Sequence, residues 1–267
     1  MILAGASALT ITLTLAVAAG YLVPVAVQGR SEGAVRWFVL AAWLLHAILL
    51  ADSLLGGGTP RFGFAPALSV TVWLVAAVYA VESRFYPQLR MRWAMCVVAA
   101  VVVVLAQVFP GAPLHPSASV WLPLHWALGI ASYGLFGAAV AHAWFLGRTE
   151  DRIRMAADVN SGMPLLTIER LTFRFVSAGF VLLTATVLVA FMFTESLYGQ
   201  GAAWRWDHKT VFSLLSWATF AILLLGRERF GWRGRRAVRM LYFGSGLLFL
   251  AYVGSRFVLE VILKRAP

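Results

Sequence analysis

Charge and cysteine are both scarce in this chain. Only 12% of its 267 residues are charged, whereas 61% are hydrophobic, a balance that no water-soluble fold covers with polar surface. The single cysteine, Cys96, excludes an internal disulfide, and no CxxC or CxxCH motif offers thiol exchange or covalent haem attachment. The chain is therefore predicted to lie in a membrane and to carry out no thiol chemistry.

Eight apolar runs are each close to the roughly 20 residues that cross a bilayer core about 30 Å thick. The first has no basic residue before its apolar core, which predicts a retained span and not a cleaved signal peptide. We therefore predict an all-α, polytopic membrane helix bundle with about eight transmembrane helices in a single domain, residues 1–267. The predicted spans are Ala4–Gln28, Val35–Leu55, Ala65–Ser83, Arg92–Phe109, Trp121–Leu146, Phe173–Ser196, Thr210–Leu225 and Ala237–Leu263.

Basic residues predict the orientation of these spans. Of the 22 lysines and arginines, 16 fall in the loops around residues 30, 84–92, 148–174 and 227–239. The positive-inside rule makes that side cytoplasmic, so both termini are expected on the non-cytoplasmic side. The net charge of +11 is thereby read as a topology signal, and no nucleic-acid partner is predicted.

Histidines are the main polar candidates within the spans. His46 lies near the middle of the second span and His125 one turn inside the outer end of the fifth, while His115 and His208 fall at the outer surface. His142 lies 17 residues beyond His125, about 25 Å deeper along the helix. An ionisable residue in a span is a functional candidate. The alternative for His46 is a neutral imidazole hydrogen-bonded to a neighbouring helix.

The segment GAAWRWDHKT, residues 201–210, places two tryptophans and an aspartate at the predicted outer surface. Trp204 and Trp206 fall at the depth where membrane proteins carry aromatic belts. Asp207 stands directly before the seventh span, and the order Asp-His-Lys-Thr suits a helix N-cap. Two interpretations therefore stay open, an aromatic belt with a cap or the lining of a binding site.

Haem is one ligand that these residues could hold together. His46 and His125 could supply axial nitrogen ligands to the iron, and the tryptophans a flat surface for the macrocycle. Arg205 or Lys209 could pair with its propionates. Zinc and copper stay open from the residues alone, although a structural zinc site takes about four ligands and the outer face has no cysteine.

Four stretches, in order, resemble the cytochrome c assembly membrane proteins, the CcsA-type haem handlers. WRWDHKTVFSLLSW is similar to the tryptophan-rich signature of that family, and LPLHWALGIASYGLFG to the helix that bears its external histidine. FVSAGFVLLTATVL is similar to the span before the signature, and GWRGRRAVRMLYFGSGLLFLAYVGSRFVL to the last span with its GWRG turn. The ordered set covers nearly the whole chain and is closest to the short, eight-span, YpjD-like inner-membrane subgroup.

The resemblance implies a haem-handling, multi-pass protein of the bacterial inner membrane. It assigns Trp204, Trp206 and Asp207 to the haem-contacting segment and His125 to the first external histidine ligand. His46 falls in a span where the family often carries a membrane histidine, so it becomes the second candidate ligand. The implied cofactor is haem b. The implied partners are the lipid bilayer and other cytochrome assembly or transport membrane proteins.

Several positions depart from the family pattern. Leu225 or Gly226 stands where the family usually carries a membrane histidine, and no histidine follows the last span. These losses argue against a complete two-site haem relay. The residues that flank WxWD in the full signature are also replaced, here by Gln200, Ala203, His208 and Thr210.

The predicted function is a membrane protein that holds b-type haem near the outer leaflet for cytochrome assembly. The alternative is a degenerate scaffold or regulator of a transport or assembly complex, which keeps the bundle without the cofactor and binds partners through its arginine-rich loops. An ion or solute transporter is disfavoured because the spans carry few central charges and no pair of broken helices. We assign no catalytic residue and no classical enzyme activity.

Overall fold

The computed structural model describes residues 8–27, 32–55, 61–85, 92–113, 121–154, 165–194 and 206–263, and within these ranges each predicted span overlaps a helix. In chain order the elements are α1 (Ala8–Ala26), α2 (Glu32–Leu55), β1 (Arg61–Phe62), α3 (Phe64–Phe85), α4 (Arg92–Val108), β2 (Ala112–Pro113), α5 (Trp121–Arg154), α6 (Leu165–Met192), α7 (His208–Phe230) and α8 (Gly234–Phe249). After α8 the chain stays helical through Leu250–Gly254 (π), Ser255–Phe257 (α) and Val258–Ile262 (π).

The helix lengths confirm a membrane bundle. Within the described ranges, seven helices are long and apolar enough to span a bilayer. The remaining one, α4, has 17 residues, so it extends over about 26 Å, slightly less than the roughly 30 Å hydrocarbon core. The all-α fold with about eight spans is therefore confirmed, while the side on which the termini lie stays a prediction.

Two compact units make up the chain, Met1–His115 with Arg256–Pro267, and Pro116–Ser255. The prediction of one domain over residues 1–267 stays a prediction. In the first unit, α1 packs on α2 and α4, and α3 packs on α4 and α2. The α1–α2 contact is close because a Cβ at Gly20 would lie 3.0 Å from the Cβ of Ala42, the small-residue packing that membrane helices use.

Two tryptophans fasten α2 to α3 in the first unit. The indoles of Trp43 and Trp73 stack with centroids 4.7 Å apart. Each indole N–H donates to the other residue's backbone carbonyl at 3.1 Å. These two hydrogen bonds satisfy both indole donors without water, which is required within a bilayer core.

A two-residue antiparallel ladder joins two loops of the first unit. Arg61 pairs with Pro113 and Phe62 with Ala112. The Arg61 guanidinium donates to the Gly111 carbonyl from Nε at 3.1 Å and Nη2 at 2.9 Å, and Gly111 has a φ of 81° that only glycine adopts readily. This ladder was not predicted, because its strands are too short to leave a period in the sequence.

The second unit is built on the α5–α6 pair, with α7 packed on α8 and α6 and with α8 packed on α5. Its core contains Phe136 and Phe220, whose rings stack with centroids 3.9 Å apart. Two helical glycines make room for these rings. A Cβ at Gly179 would lie 3.2 Å from the Phe136 ring, and a Cβ at Gly244 would lie 3.0 Å from the Phe220 ring.

Candidate functional site

His46 is enclosed in the first unit by three helices. Its side chain on α2 is 1% exposed. Nδ1 lies 3.2 Å from the Tyr21 hydroxyl of α1, and Nε2 lies 2.8 Å from the Ser69 hydroxyl of α3. A neutral imidazole has one donor and one acceptor, so both ring nitrogens are already used. This is the hydrogen-bonded arrangement that the sequence left open as the alternative to a metal ligand.

His125 has a different environment in the second unit. It is half-buried on α5, and its Nδ1 lies 3.2 Å from the backbone carbonyl of Thr186 on α6. Because a carbonyl only accepts, Nδ1 carries the proton and Nε2 keeps its lone pair. Among the described residues, no hydrogen bond to Nε2 is formed. A metal-binding histidine is usually oriented in this way, by a hydrogen bond from its other ring nitrogen to a carbonyl or carboxylate.

Aromatic side chains extend the His125 face of α5. Trp121, one turn before His125, stacks on Phe193 with ring centroids 3.6 Å apart. Gly129, one turn after it, brings α5 close to α6, because a Cβ there would lie 3.6 Å from the Thr186 methyl carbon Cγ2. Trp121, His125 and Gly129 therefore share the face of α5 that packs on α6.

Asp207 caps α7. Its backbone is extended, with φ −83° and ψ 169°, and its Oδ1 accepts the Thr210 backbone N–H at 2.9 Å. Burial opposes ionisation of this carboxyl, but the hydrogen bonds from Thr210 and the nearby Lys209 and His208 hold its pKa below the ordinary 3.8. An ionised carboxylate at a helix N-terminus is stabilising. A contact of Asp207 with haem stays a prediction.

Of the two tryptophans in the predicted haem-contacting segment, the structure describes only one. Trp206 is described and is 72% exposed, as an interfacial aromatic residue would be. Trp204 lies outside the described residues. His125, Trp206 and Asp207 belong to the second compact unit and His46 to the first, so these four residues do not belong to one unit.

A conventional metal cluster is not found in the part of the chain that the structure describes. No group of three or more histidine, cysteine, aspartate or glutamate side chains there could hold an ion. Structural zinc needs about four such ligands. The described residues therefore give no support to the zinc alternative.

The comparison with protein families decides the relationship. The model of the cytochrome C assembly protein family matches residues 6–263. This chain belongs to the cytochrome c assembly protein family. Among its relatives, the inner membrane protein YpjD of Escherichia coli strain K12 is 29% identical over 232 residues, 86% of each chain. The cytochrome c biogenesis protein CcsA of Synechococcus elongatus is 28% identical over 240 residues, 80% of this chain and 71% of the relative.

These relationships confirm the resemblance that the sequence motifs predicted, and the family is associated with haem handling. The CcsA protein of Prochlorococcus marinus is also similar, with 25% identity over 207 residues, 72% of this chain and 62% of the relative. No solved structure matches the chain.

One departure from the pattern of this cytochrome c assembly family has a steric reason in the GWRG turn. Gly226 stands at or beside the position where the family usually carries a membrane histidine, and the Trp232 indole lies directly on it. A Cβ at Gly226 would overlap Trp232 Cε3. The turn is held by the backbone N–H of Trp232, which donates to the Gly226 carbonyl at 3.2 Å. No larger side chain fits at residue 226 unless Trp232 moves.

Two charged pairs within the helices were missed by the sequence reasoning. Arg256 Nη1 lies 3.9 Å from Glu260 Oε1, and a Cβ at Gly63 would lie 2.8 Å from either Glu260 carboxylate oxygen. Arg227 Nη1 lies 3.0 Å from Glu169 Oε1 in the second unit. For Arg256 and Glu260, which fall in the last predicted span, the signal was the charge itself, since ionisable residues within spans are rare and paired. Glu169 and Arg227 fall outside the predicted spans, so this signal did not mark them.

Proposed function

We propose that this protein holds a b-type haem noncovalently near the outer leaflet of a bacterial inner membrane and presents it for cytochrome assembly. The family membership and the seven membrane-competent helices support a role in the membrane. The E. coli relative is named an inner membrane protein and the cyanobacterial relatives are named cytochrome c biogenesis proteins. We propose noncovalent and not covalent binding because the sequence contains no CxxCH motif.

The observation that carries this proposal is the hydrogen bond from His125 Nδ1 to the Thr186 carbonyl, at 3.2 Å. It fixes the tautomer in which Nε2 has a lone pair, which is the form that binds iron. It also raises the basicity of Nε2 and restrains rotation of the ring. His125 would therefore hold a haem iron through Nε2 while its Nδ1 keeps the hydrogen bond to Thr186.

His46 is less suited than His125 to bind iron. To coordinate iron it would have to release either the Tyr21 hydroxyl or the Ser69 hydroxyl. Either release would leave a hydroxyl without its partner in an apolar surrounding, which is costly. We therefore propose His125, in the second unit, as the iron ligand, while iron ligation by His46 of the first unit stays a prediction.

Other residues near the predicted outer face complete the proposed site. When bound, a b-type haem supplies an iron centre that takes axial ligands and is not covalently attached to the chain. Trp204 and Trp206 would offer aromatic surface to the macrocycle, and Arg205 or Lys209 would pair with the propionates. The stacked Trp121 and Phe193 would keep water from the His125 side of the site.

An absorption spectrum tests this proposal. The full chain is expressed with added haem precursor, purified in detergent and compared with His125→Ala and with His208→Ala, an exposed histidine that serves as the matched control. We expect a Soret band and a b-type pyridine haemochrome spectrum in wild type and His208→Ala, and at least a tenfold loss in His125→Ala. No Soret band in the wild-type protein, or an equal band in His125→Ala, would contradict the proposal.

A second function is favoured by the bonds of His46 and Asp207. Both side chains already have structural partners, Tyr21 and Ser69 for His46 and the Thr210 N–H for Asp207. A scaffold or regulator of a transport or assembly complex would need no more from them than these bonds. In that case the wild-type protein shows no Soret band after haem supplementation, while charge changes in the loops rich in arginine impair its binding to a partner.

A further inference from the structure

One face of α8 changes from basic to apolar along its length. Arg235, Arg236 and Arg239 are exposed in its first two turns. Exposed Tyr242, Phe243 and Phe249 follow at the spacing of the same face. We call these six residues the lipid face of α8. The first turn of this helix contains no acidic residue.

The basic end of the lipid face is attached to a rigid turn. Gly231 and Gly234 have φ angles of 63° and 60°, which glycine adopts without strain. The Trp232 indole is fixed against Gly226, and the Arg236 guanidinium lies 3.7 Å from the centroid of that indole. The arginines are therefore displayed from a fixed backbone and not from a pliable loop.

Two arginines of the lipid face have all their donors available. Arg235 and Arg239 lie four residues apart, so their side chains leave the helix about 5–6 Å from each other. Among the described residues, neither of them has a hydrogen bond or an ion pair. By contrast, Arg227 in the last turn of α7 forms an ion pair with Glu169 and lies over the Phe173 ring. Guanidinium groups in pairs suit the oxygen atoms of a phosphate.

The apolar end of the lipid face suits a hydrocarbon chain. Phe243 is 60% exposed and Phe249 is 44% exposed. Between them, a Cβ at Gly246 would meet nothing within 4 Å, so the surface is shallow there. Tyr242, which is 41% exposed, lies between the arginines and this apolar stretch, at the place where amphipathic rings meet lipid headgroups.

We propose that the lipid face of α8 binds one anionic phospholipid lengthwise. Arg235 and Arg239 hold its phosphate, and the acyl chain lies along Phe243 and Gly246 toward Phe249. The arginines suit the phosphate of an anionic lipid and the exposed aromatic side chains suit its acyl chain. A soluble phosphate would use only the arginines. Since the predicted cytoplasmic leaflet is also the one to which basic segments are attracted, the basic end lies where such lipids are met. This inference does not depend on haem binding.

Native mass spectrometry of the delipidated full chain in neutral detergent tests the proposal. Dioleoylphosphatidylglycerol and dioleoylphosphatidylcholine are titrated separately and the bound lipid is counted. We expect the phosphatidylglycerol to bind wild type at least tenfold more tightly than the phosphatidylcholine. The double variant Arg235→Gln/Arg239→Gln should lose about 30-fold in affinity for phosphatidylglycerol, on the order of fivefold for each charge removed.

The matched control is Arg170→Gln/Arg174→Gln on α6. These two arginines are also exposed and four residues apart, but Ser177 and Ala178 follow them in place of aromatic rings. The control should change the affinity less than twofold. An equal loss in the control, equal binding of the two lipids, or displacement of phosphatidylglycerol by 50 mM inorganic phosphate would overturn the proposal.

Arg235→Lys/Arg239→Lys keeps the test decisive if the glutamine variant does not fold. It preserves the net charge and the positive-inside signal but removes the planar fork. We expect phosphatidylglycerol to bind it about fivefold less tightly than wild type, with binding of phosphatidylcholine unchanged. Affinity equal to that of wild type would contradict the assignment of these two guanidinium groups.

Discussion

His46 in the first unit and His125 in the second are both histidines within membrane spans, but their ring nitrogens are used differently. His46 has a hydroxyl on each nitrogen, Tyr21 on Nδ1 and Ser69 on Nε2. His125 has a backbone carbonyl on Nδ1 only. The first pattern connects three helices, and the second orients a ring whose other nitrogen can bind a ligand. Burial of a histidine thus does not by itself mark a binding site; the occupancy of each nitrogen does.

The largest expected effect is on the stability of the first unit. His46→Ala removes two interhelical hydrogen bonds, leaves the hydroxyls of Tyr21 and Ser69 without a partner and opens a cavity among α1, α2 and α3. We expect a loss of about 3 kcal/mol, measured by thermal unfolding of the purified protein in detergent. His125→Ala is the matched variant and should cost less than about 1 kcal/mol, since it gives up one bond in a half-buried position. Equal losses for the two variants would remove the distinction between them.

The helical bundle could be predicted from the sequence because apolar length is a strong signal. The ends of α5 and α6 could not be predicted from apolar length. Trp121–Leu146 was expected for α5, but it runs to Arg154, because the charged residues after Leu146 end the apolar run and still favour a helix. Likewise α6 begins at Leu165 and not near Phe173. Polarity marks where a span leaves the membrane, and the helix itself has no reason to end there.

The candidate site could be predicted in part. The family motif singled out His125, and position before a span identified Asp207 as a possible cap. The hydrogen bonds that distinguish His46 from His125 could not be predicted, because Tyr21 and Ser69 lie 25 and 23 residues from His46 in sequence. Nor could the Trp232 ring on Gly226, which depends on the conformation of the GWRG turn. Contacts between helices leave no periodic signal in one sequence.

Substitutions of Asp207, the cap of α7, test whether this residue of the second unit has a structural role. Asp207→Ala should destabilise the protein by about 1 kcal/mol, whereas Asp207→Asn, which keeps a capping oxygen, should cost only a few tenths. Because the folded pKa of Asp207 lies below 3.8, its contribution is complete above that pH and is lost as the pH falls through the folded pKa.

Melting temperatures of the two Asp207 variants between pH 7 and pH 3 check this. The difference between wild type and Asp207→Asn should shrink toward pH 3. A constant difference over this range would show that the charge of Asp207 is not what stabilises α7. A loss of the Soret band in Asp207→Asn at pH 7, with melting unchanged, would instead assign Asp207 to the haem site.

The smallest expected effect decides whether His46 is a purely structural residue. Tyr21→Phe removes only the hydroxyl on Nδ1, and hydrogen bonds between membrane helices average about 0.6 kcal/mol, so its melting temperature should fall slightly. The haem content should not change, because a purely structural His46 binds no iron even when its Nδ1 is released. Ser69→Ala is the matched control on the other nitrogen. If either substitution raises the haem content above that of wild type, the released nitrogen of His46 binds iron. Both histidines would then be iron ligands, and the hydrogen bonds of His46 would inhibit its binding of iron in the wild-type protein.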